Sequence, residues 1–331
     1  NGIDIIYTTD KMLTLKVEQA IELGTIVVAH ELHEPNTGEG PADVIYPYFQ
    51  ISDSAANIAK LTAIQLIQLN TSRLDQITAT EGKMSLKGAQ LMALDNIKIA
   101  DGNVVTLFDS GANIAHINFS KLANIGASGQ TNLIDADDNV LSITVDNFHK
   151  IVAATNWTLS ANDVVTLGDS AENLGHLTID EISGPIVDAV TGARDATQGL
   201  AGRGINILKV TDGEELDLSL DQYKALIETS CSLTGGDQVA LKDITQTDLD
   251  DAAASFVRAL AGNGIDTVRI ASDGDISVSV ETYLALGDVK IETAGIYTLK
   301  DSADALAGLD ADHFAALADN GVDVIAVSDG E

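Results

Sequence analysis

The stretch that decides the fold is a ten-residue unit that reads Val165-Thr166-Leu167-Gly168-Asp169-Ser170-Ala171-Glu172-Asn173-Leu174. Its alternating apolar residues are typical of a strand, its Asp-Ser step of a helix N-cap, and its last residues of a short helix. We call this unit B. It recurs at residues 50–58, 105–114 and 297–306, and in degenerate form at 239–243. Such recurrence predicts a repeat protein.

A second unit, A, alternates with B and reads strand, acidic turn, second strand, short helix, as in residues 264–286. The period of two places Leu141, Ile143 and Val145 on one face of a strand. The acidic turn position falls at Asp10, Glu81, Asp138, Asp212, Asp273 and Asp329.

Carboxylate and hydroxyl side chains recur at the predicted starts of the helices. We expect the A helices to open at acidic residues that oppose the positive helix end: Glu18, Asp146, Asp221 and Glu281. A second cap follows the first B helix directly after an apolar residue, at Thr62, Asn118, Thr178, Asp250 and Asp310.

None of these helices reaches the roughly 12–15 residues that an isolated helix needs, so each must bury its apolar face on a neighbouring repeat. The sequence therefore predicts an α/β fold, an elongated solenoid of short, mostly parallel strands and short helices. We expect one array of about five doublets, at residues 1–69, 73–125, 131–190, 203–260 and 263–317, with a trailing half at 320–331. Insertions interrupt it at 24–48 and 184–203.

Composition excludes several classes of protein. With 50 acidic and 18 basic residues, the chain carries a formal net charge of −32, which disfavours nucleic acid and anionic membranes as partners. A single cysteine, Cys231, excludes a disulfide framework. The apolar runs are too short for a membrane span. No motif for a catalytic nucleophile or a nucleotide is present, so we expect a non-enzymatic protein.

The two units resemble repeats of very large secreted surface proteins of Gram-negative bacteria. The best matches are residues 53–62, 169–178, 204–226 and 321–330. Such proteins are often exported by type I secretion and carry calcium-binding RTX nonapeptides, although no Gly-Gly-x-Gly-x-Asp nonapeptide occurs in this chain. The resemblance implies an extracellular, cell-surface role of the adhesin or S-layer kind.

The acidic turns are the first candidate site, because calcium takes six to eight oxygen ligands. The candidate ligands for calcium, the one cofactor we consider, are Asp135, Asp137, Asp138, Asp212, Asp273 and Asp275. None of these turns has the EF-hand spacing, and the competing interpretation is a solvated turn chosen for its backbone geometry.

The insertions and a few single residues are further candidates. The first insertion contains His30-Glu31-Leu32-His33-Glu34, which falls one residue short of the zinc-protease helix motif, and an exposed polar loop is the simpler interpretation. The second contains Arg194 and Arg203. Loops on a rigid scaffold often carry recognition, but they also tolerate insertions without function. Trp157 and Cys231 are more simply packing residues.

The expectation is thus a structural spacer, adhesive stalk or S-layer segment, in contact with neighbouring repeats or copies of itself. The chain begins and ends at nearly the same repeat phase, which indicates a segment of a longer array. The alternative is a solenoid that recognises a protein or glycan through its insertions. A polysaccharide-processing β-solenoid enzyme is a third interpretation, which the 4% aromatic content disfavours.

Overall fold

Short parallel strands and short helices alternate along the chain in a computed structural model. It describes residues 5–8, 12–24, 26–30, 48–125, 130–188, 190–252, 254–271 and 274–329. The chain divides into two compact units, Asn1–Val165 and Thr166–Glu331. The predicted mixed α/β class with mostly parallel strands is confirmed.

The first unit contains strands β1 to β11, and the boundary between the units falls within β12. These strands are β1 Ile5–Thr8, β2 Met12–Leu15, β3 Val27–His30, β4 Tyr48–Asp53, β5 Gln76–Ala79, β6 Lys83–Leu86, β7 Lys98–Ile99, β8 Val104–Asp109, β9 Asn132–Ala136, β10 Val140–Ile143, β11 Trp157–Leu159 and β12 Val164–Asp169. Its helices are α1 Val17–Leu23, α2 Ala55–Ile58, α3 Ala63–Thr71, α4 Gly88–Ala93, α5 Gly111–Ala115 and α6 Val145–Ala153, with a 3₁₀ helix at Phe119–Asn124.

The second unit continues the same alternation. Its strands are β13 Ile186–Asp188, β14 Ala193–Arg194, β15 Ile207–Val210, β16 Leu216–Ser219, β17 Ser232–Leu233, β18 Val239–Ile244, β19 Thr267–Ile270, β20 Ile276–Val278, β21 Lys290–Glu292, β22 Tyr297–Asp301 and β23 Val324–Val327. Its helices are α7 Ala171–Gly175, α8 Ile179–Ser183, α9 Leu220–Ile227, α10 Gln246–Asp251, α11 Ala254–Gly262, α12 Val280–Leu286, α13 Ala303–Ala307 and α14 Ala311–Ala316, with 3₁₀ helices at Ala196–Gln198 and Ala201–Arg203.

The sheets are shared between successive repeats. The two strands of an A unit lie in different sheets: β5 belongs to the sheet β2-β4-β5-β7, whereas β6 opens the sheet β6-β8-β9-β11. The sheet β16-β18-β19-β21 of the second unit is built from the corresponding strands. Each of these four-stranded parallel sheets takes, in order, the second strand of one A unit, the B strand, the first strand of the next A unit, and the strand after that unit's helix. No A unit in these sheets therefore completes a sheet by itself.

The inward faces of the strands form the core. In β8, Val105 and Leu107 are fully buried, and the next inward residue is Asp109. In β4 the same positions are held by Phe49, Ile51 and Asp53. The strand period thus carries the aspartate of each Asp-Ser step to the edge of the apolar core, where its charge requires hydrogen-bond partners.

The helix caps confirm most of the sequence expectation and correct part of it. Ser54, Ser110, Ser170 and Ser302 are the N-caps of the first B helices, and each hydroxyl accepts a backbone N–H. The second caps Thr62, Asn118, Thr178 and Asp310 also act as predicted. In the A helices, the predicted acids Asp146, Asp221 and Glu281 lie in the first turn, but the cap contact is made by a hydroxyl two residues earlier, on Thr144, Ser219 and Ser279.

The degenerate B copy departs from the prediction at Asp250. This residue lies inside α10 and is not the N-cap of a described helix. The N-cap of α10 is Thr245, which forms a reciprocal capping box with Asp248. One extra residue is accommodated in β18, between Leu241 and Ile244, where Asp243 has a φ of 59°. This bulge moves the helix start, and with it the cap, to a new residue.

Candidate functional site

The acidic turns are helix caps supplied from a neighbouring repeat. The turn carboxylates accept the first backbone N–H of the preceding B helix, over distances of 2.8 to 3.3 Å: Glu81 from Ala55, Asp138 from Gly111, Asp212 from Ala171, and Asp329 from Ala303. A negative charge at a helix N-terminus satisfies a donor that the helix cannot satisfy itself. The repeat of acidic turns therefore has a structural function in these four copies.

The remaining predicted calcium ligands have varied surroundings. Asp137 pairs with Lys87 at 3.1 Å, and Asp275 accepts the Ile296 N–H at 2.9 Å. Asp135 is half-buried on β9. Asp273 lies outside the described residues. Among the residues that are described, no three acidic, histidine or cysteine side chains form a group that could hold a metal as it stands. Calcium at these turns stays a prediction.

The aspartate of the Asp-Ser step joins two helices. Asp109 Oδ1 accepts the Ser110 N–H at 2.9 Å and the Asn113 side-chain N–H at 2.8 Å, while Oδ2 accepts the Gly88 N–H at the start of α4, at 3.0 Å. Burial acts to raise the pKa of the Asp109 carboxyl, but the hydrogen bonds from Asn113, Gly88 and Ser110 lower it below its ordinary value.

Two other copies repeat this arrangement. Asp53 accepts the Val17 N–H of α1 at 2.9 Å, and Asp301 accepts the Val280 N–H of α12 at 3.0 Å. One carboxylate thus holds the start of an A helix against the start of a B helix. The sequence predicted only the contact of the Asp-Ser step with the B helix. The contact with the A helix was not predicted, because it joins residues 21 to 36 positions apart.

A second set of polar residues was missed altogether. An Asp or Asn at or just before the start of a strand accepts a backbone N–H from an earlier strand, of the same sheet or of the preceding one, at 2.6 to 2.9 Å. These residues are Asp75, Asn103, Asn132, Asp163, Asp237, Asp266 and Asp323. The partner lies 24 to 27 positions earlier in each case. An offset that varies by only three positions is visible in the sequence, and it is the signal that could have found them.

The second insertion is held to the scaffold by its arginines. Arg194 Nη1 donates to Asp180 Oδ1 and to the Gly184 carbonyl, both at 2.6 Å, and Arg203 donates to the Gln198 carbonyl at 2.8 Å. The strands β13 and β14 form an antiparallel hairpin whose Val187 and Val190 are exposed. The guanidinium groups of both arginines therefore have structural partners within the insertion or on α8.

An open cavity of about 550 Å³ lies where this insertion meets the end of α9. Its lining residues are mostly small or polar, with Ser183, Thr197, Glu228, Thr229 and Ser230 among them, but apolar atoms make up the larger part of its surface. The Thr197 and Thr229 hydroxyls already donate to Asp195 and to the Leu226 carbonyl. The cavity can admit a small polar ligand, but its hydroxyls are partly engaged.

The other sequence candidates are packing residues or lie outside the described part. Trp157 is buried, and its indole N–H donates to the carbonyls of Leu122 and Ile125. Cys231 is buried, and burial raises the pKa of its thiol to about 12. This thiol therefore stays protonated and unreactive at neutral pH. Of the residues 30–34, only the backbone of His30, at the end of β3, is described.

No family model, curated protein or solved structure matches this chain. Every helix in the described ranges is too short or too polar to cross a bilayer.

Proposed function

We propose that this chain is a non-enzymatic structural segment of a large bacterial cell-surface protein, acting as a spacer or adhesive stalk. The observation that carries the proposal is the sharing of each four-stranded parallel sheet between successive A units. A fold of this kind grows by adding repeats, because each new repeat completes the sheet that the previous one opened. On this proposal the repeats stack as one elongated solenoid.

The polar network supports the same function. Four of the acidic turn residues and the aspartates of three Asp-Ser steps accept the first N–H of a helix in another unit, and the further set of Asp and Asn residues accepts strand amides. Hydrogen bonds of this kind fix the register between repeats. The surface location itself rests on the sequence resemblance.

Solution scattering on the chain tests the solenoid. A compact chain of this length has a radius of gyration of about 20 Å, and we expect a clearly larger value with a rod-like pair-distance distribution. A radius near the compact value would overturn the elongated arrangement. Labelling of intact source cells with an antibody against the chain tests the location, and signal only after cell lysis would overturn the surface role.

Ligand recognition through the second insertion is a second candidate function, favoured by the cavity beside α9. The test is a glycan-array measurement on three proteins: the wild type, Ala201→Phe, which fills the cavity, and Val190→Ala, at the exposed hairpin, as the matched control. Binding by the wild type and the control, but not by Ala201→Phe, would support this function. Equal binding by all three, or binding by none, would exclude it.

A further inference from the structure

Strand β23 has one free edge. It pairs with β22 in the three-stranded sheet β20-β22-β23, and no described strand pairs with its other side. In each of the four-stranded parallel sheets the strand at the same place is flanked on both sides, and these strands are β5, β9, β15 and β19. An edge strand presents a row of unpaired backbone N–H and C=O groups, onto which another strand can be added.

The complete sheets show which backbone groups of β23 face this edge. In three of them, one carbonyl of the equivalent strand accepts an N–H from the residue that follows the fourth strand, at 2.8 to 3.0 Å. The pairs are Ile77 with Ala100, Ile134 with Ser160, and Leu208 with Thr234. Ile325 holds this position in β23, because it pairs with Leu299 as Ile134 pairs with the equivalent Leu107. The Ile325 carbonyl therefore faces the free edge.

The inward side chains of β23 are uncovered as well. Ile325 is 47% exposed and Val327 is 54% exposed. Their equivalents in β19, Val268 and Ile270, are only 2% and 8% exposed, and the equivalents in β5, β9 and β15 are also buried. Apolar residues that are buried wherever the sheet is complete, and exposed where it is not, mark a surface that another element covers.

The opposite edge of the same sheet is closed by a side chain. Gln246 of α10 accepts the Ser277 N–H of β20 through Oε1, and its Nε2 donates to the Ser277 carbonyl, both at 2.8 Å. The glutamine amide thus pairs with β20 in the way that a further strand does. The sheet is therefore protected at β20 and open at β23.

The chain contains a strand that fits the open edge. β3 follows the first A helix, which is the place of the fourth strand in the complete sheets, and it pairs in parallel with β1. The sequence Asn1-Gly2-Ile3-Asp4-Ile5-Ile6 leads into β1, and the matching sequence Asn320-Gly321-Val322-Asp323-Val324-Ile325 leads into β23. Asn, Gly, Asp and Ile occupy the same places in both. β23 is therefore a close copy of the strand with which β3 pairs.

We propose that β3 of a second copy pairs with β23, in place of its own β1, and so joins the two copies head to tail. A two-stranded sheet such as β1-β3 is marginally stable, whereas β20-β22-β23 already offers three strands. The exchange therefore gives up a weak sheet and completes a four-stranded one. The pairing of β1 with β3 sets the register: Val324 with Val27, Ile325 with Val28, Ala326 with Ala29, and Val327 with His30.

Such an interface is heterologous, because one copy contributes β23 and the other contributes β3. Each copy keeps one of these strands free, so the contact can extend beyond a dimer. The inference rests on strand pairing alone and does not depend on the proposed spacer function.

Sedimentation velocity over a concentration series of the full chain tests the association, in about 200 mM NaCl to screen repulsion between the acidic copies. We expect reversible growth beyond the monomer. Ile325→Lys places a charge on the free edge and should weaken the association by about tenfold or more. The matched control, Val190→Lys, places the same charge on an exposed residue away from this edge and should associate as the wild type does. Circular dichroism checks that both variants fold.

Cysteine crosslinking tests the register without the edge variant. Ala326→Cys and Ala29→Cys are made in separate proteins, mixed and oxidised, while the buried Cys231 is left in place. Paired residues of adjacent strands lie about 5 Å apart, within the range that a disulfide spans. We expect a crosslinked dimer in the mixture and not in either protein alone.

The proposal is overturned if the wild type stays monomeric up to about 1 mM, if Ile325→Lys associates as tightly as the wild type, or if Val190→Lys weakens association equally. Crosslinking of Ala326→Cys to itself would indicate a symmetric contact between two β23 strands, and association without any crosslink would contradict pairing with β3. A monomeric wild type leaves the spacer function standing, because scattering at low concentration tests that function separately.

Discussion

At the residue scale, one carboxylate can stabilise two helices because its two oxygens point to different repeats. Asp109 is buried, and each of its oxygens accepts at least one N–H, from α4 on one side and from the start of α5 on the other. Hydrogen bonds to a charged acceptor are worth about 1.5–3 kcal/mol each in net stability. The position therefore carries more of the fold than a surface aspartate does.

Asp109→Asn should lower the free energy of unfolding by about 1–3 kcal/mol at pH 7, because the amide nitrogen cannot accept a hydrogen bond. The pKa of Asp109 is lower in the folded protein than in the unfolded chain, where it is about 3.9. The ionised carboxylate therefore stabilises the fold fully above the unfolded pKa, and this stabilisation is lost as the pH falls through the folded pKa. The difference between wild type and variant should thus shrink below about pH 4. Urea denaturation at pH 7 and pH 3.5 measures it.

The exposed Asp101 is the control for this measurement. Asp101→Asn should change the stability by less than about 0.5 kcal/mol at either pH. A difference between wild type and Asp109→Asn that stays constant down to pH 3.5 would contradict the role of the charged carboxylate.

Gly111 shows how close two repeats approach. A Cβ built there would lie 1.8 Å from the Val140 carbonyl oxygen, whereas alanine occupies the equivalent positions 55, 171 and 303. Gly111→Ala should destabilise the chain by about 1–3 kcal/mol, since backbone must move to admit the methyl group. Thermal melting compares it with Gly262→Ala, where a Cβ meets nothing within 4 Å. Equal melting temperatures would show that β10 moves away without cost.

At the element scale, two of the A helices, α4 and α9, are tied to the preceding B unit by a glutamine in their first turn. In α4, Gln90 Oε1 accepts the Lys87 N–H at 2.7 Å, and its Nε2 donates to the carbonyls of Ala59 and Leu61. In α9, Gln222 makes the same contacts with Ser219, Gly175 and Leu177. This residue thus caps its own helix and also satisfies carbonyls at the end of another.

Gln90→Ala separates these two effects when it is compared with Gln65→Ala. Gln65 closes the capping box of α3 by accepting the Thr62 N–H, but it makes no contact with another element in the described hydrogen bonds. We expect Gln65→Ala to cost about 1 kcal/mol, and Gln90→Ala about 2–4 kcal/mol because two carbonyls also lose their donor. Chemical denaturation measures both, and equal losses would contradict the link between repeats.

Much at this scale was readable from the sequence, because strands, turns and first B helices depend on local chemistry. The alternation in β8 and the cap at Ser110 are examples. The pairing of β5 and β6 with different sheets could not be read, since turn chemistry does not tell whether two strands pair with each other. Asp163 was missed for a similar reason: the backbone N–H that it accepts belongs to Ala136, 27 positions earlier in the sequence.

At the scale of the whole molecule, the net charge of −32 opposes compaction. Some of this charge is matched by partial positive charge at helix N-termini, as at Glu81 and Asp212. Some of it is also matched by an arginine, since the Arg269 guanidinium group pairs with Glu215, Asp217 and Glu292 at 2.6 to 3.1 Å. Most of the remaining carboxylates face water, where they repel one another within a Debye length of about 10 Å at 0.1 M salt.

Raising NaCl from 10 to 200 mM should therefore increase the melting temperature, because salt screens this repulsion over distances greater than about 8 Å. The increase is a property of the net charge, so a variant that removes one exposed charge, Asp101→Asn, should show nearly all of it. If NaCl lowered the melting temperature, attraction in pairs such as Arg269–Glu215 would outweigh repulsion, and the charge would stabilise the fold.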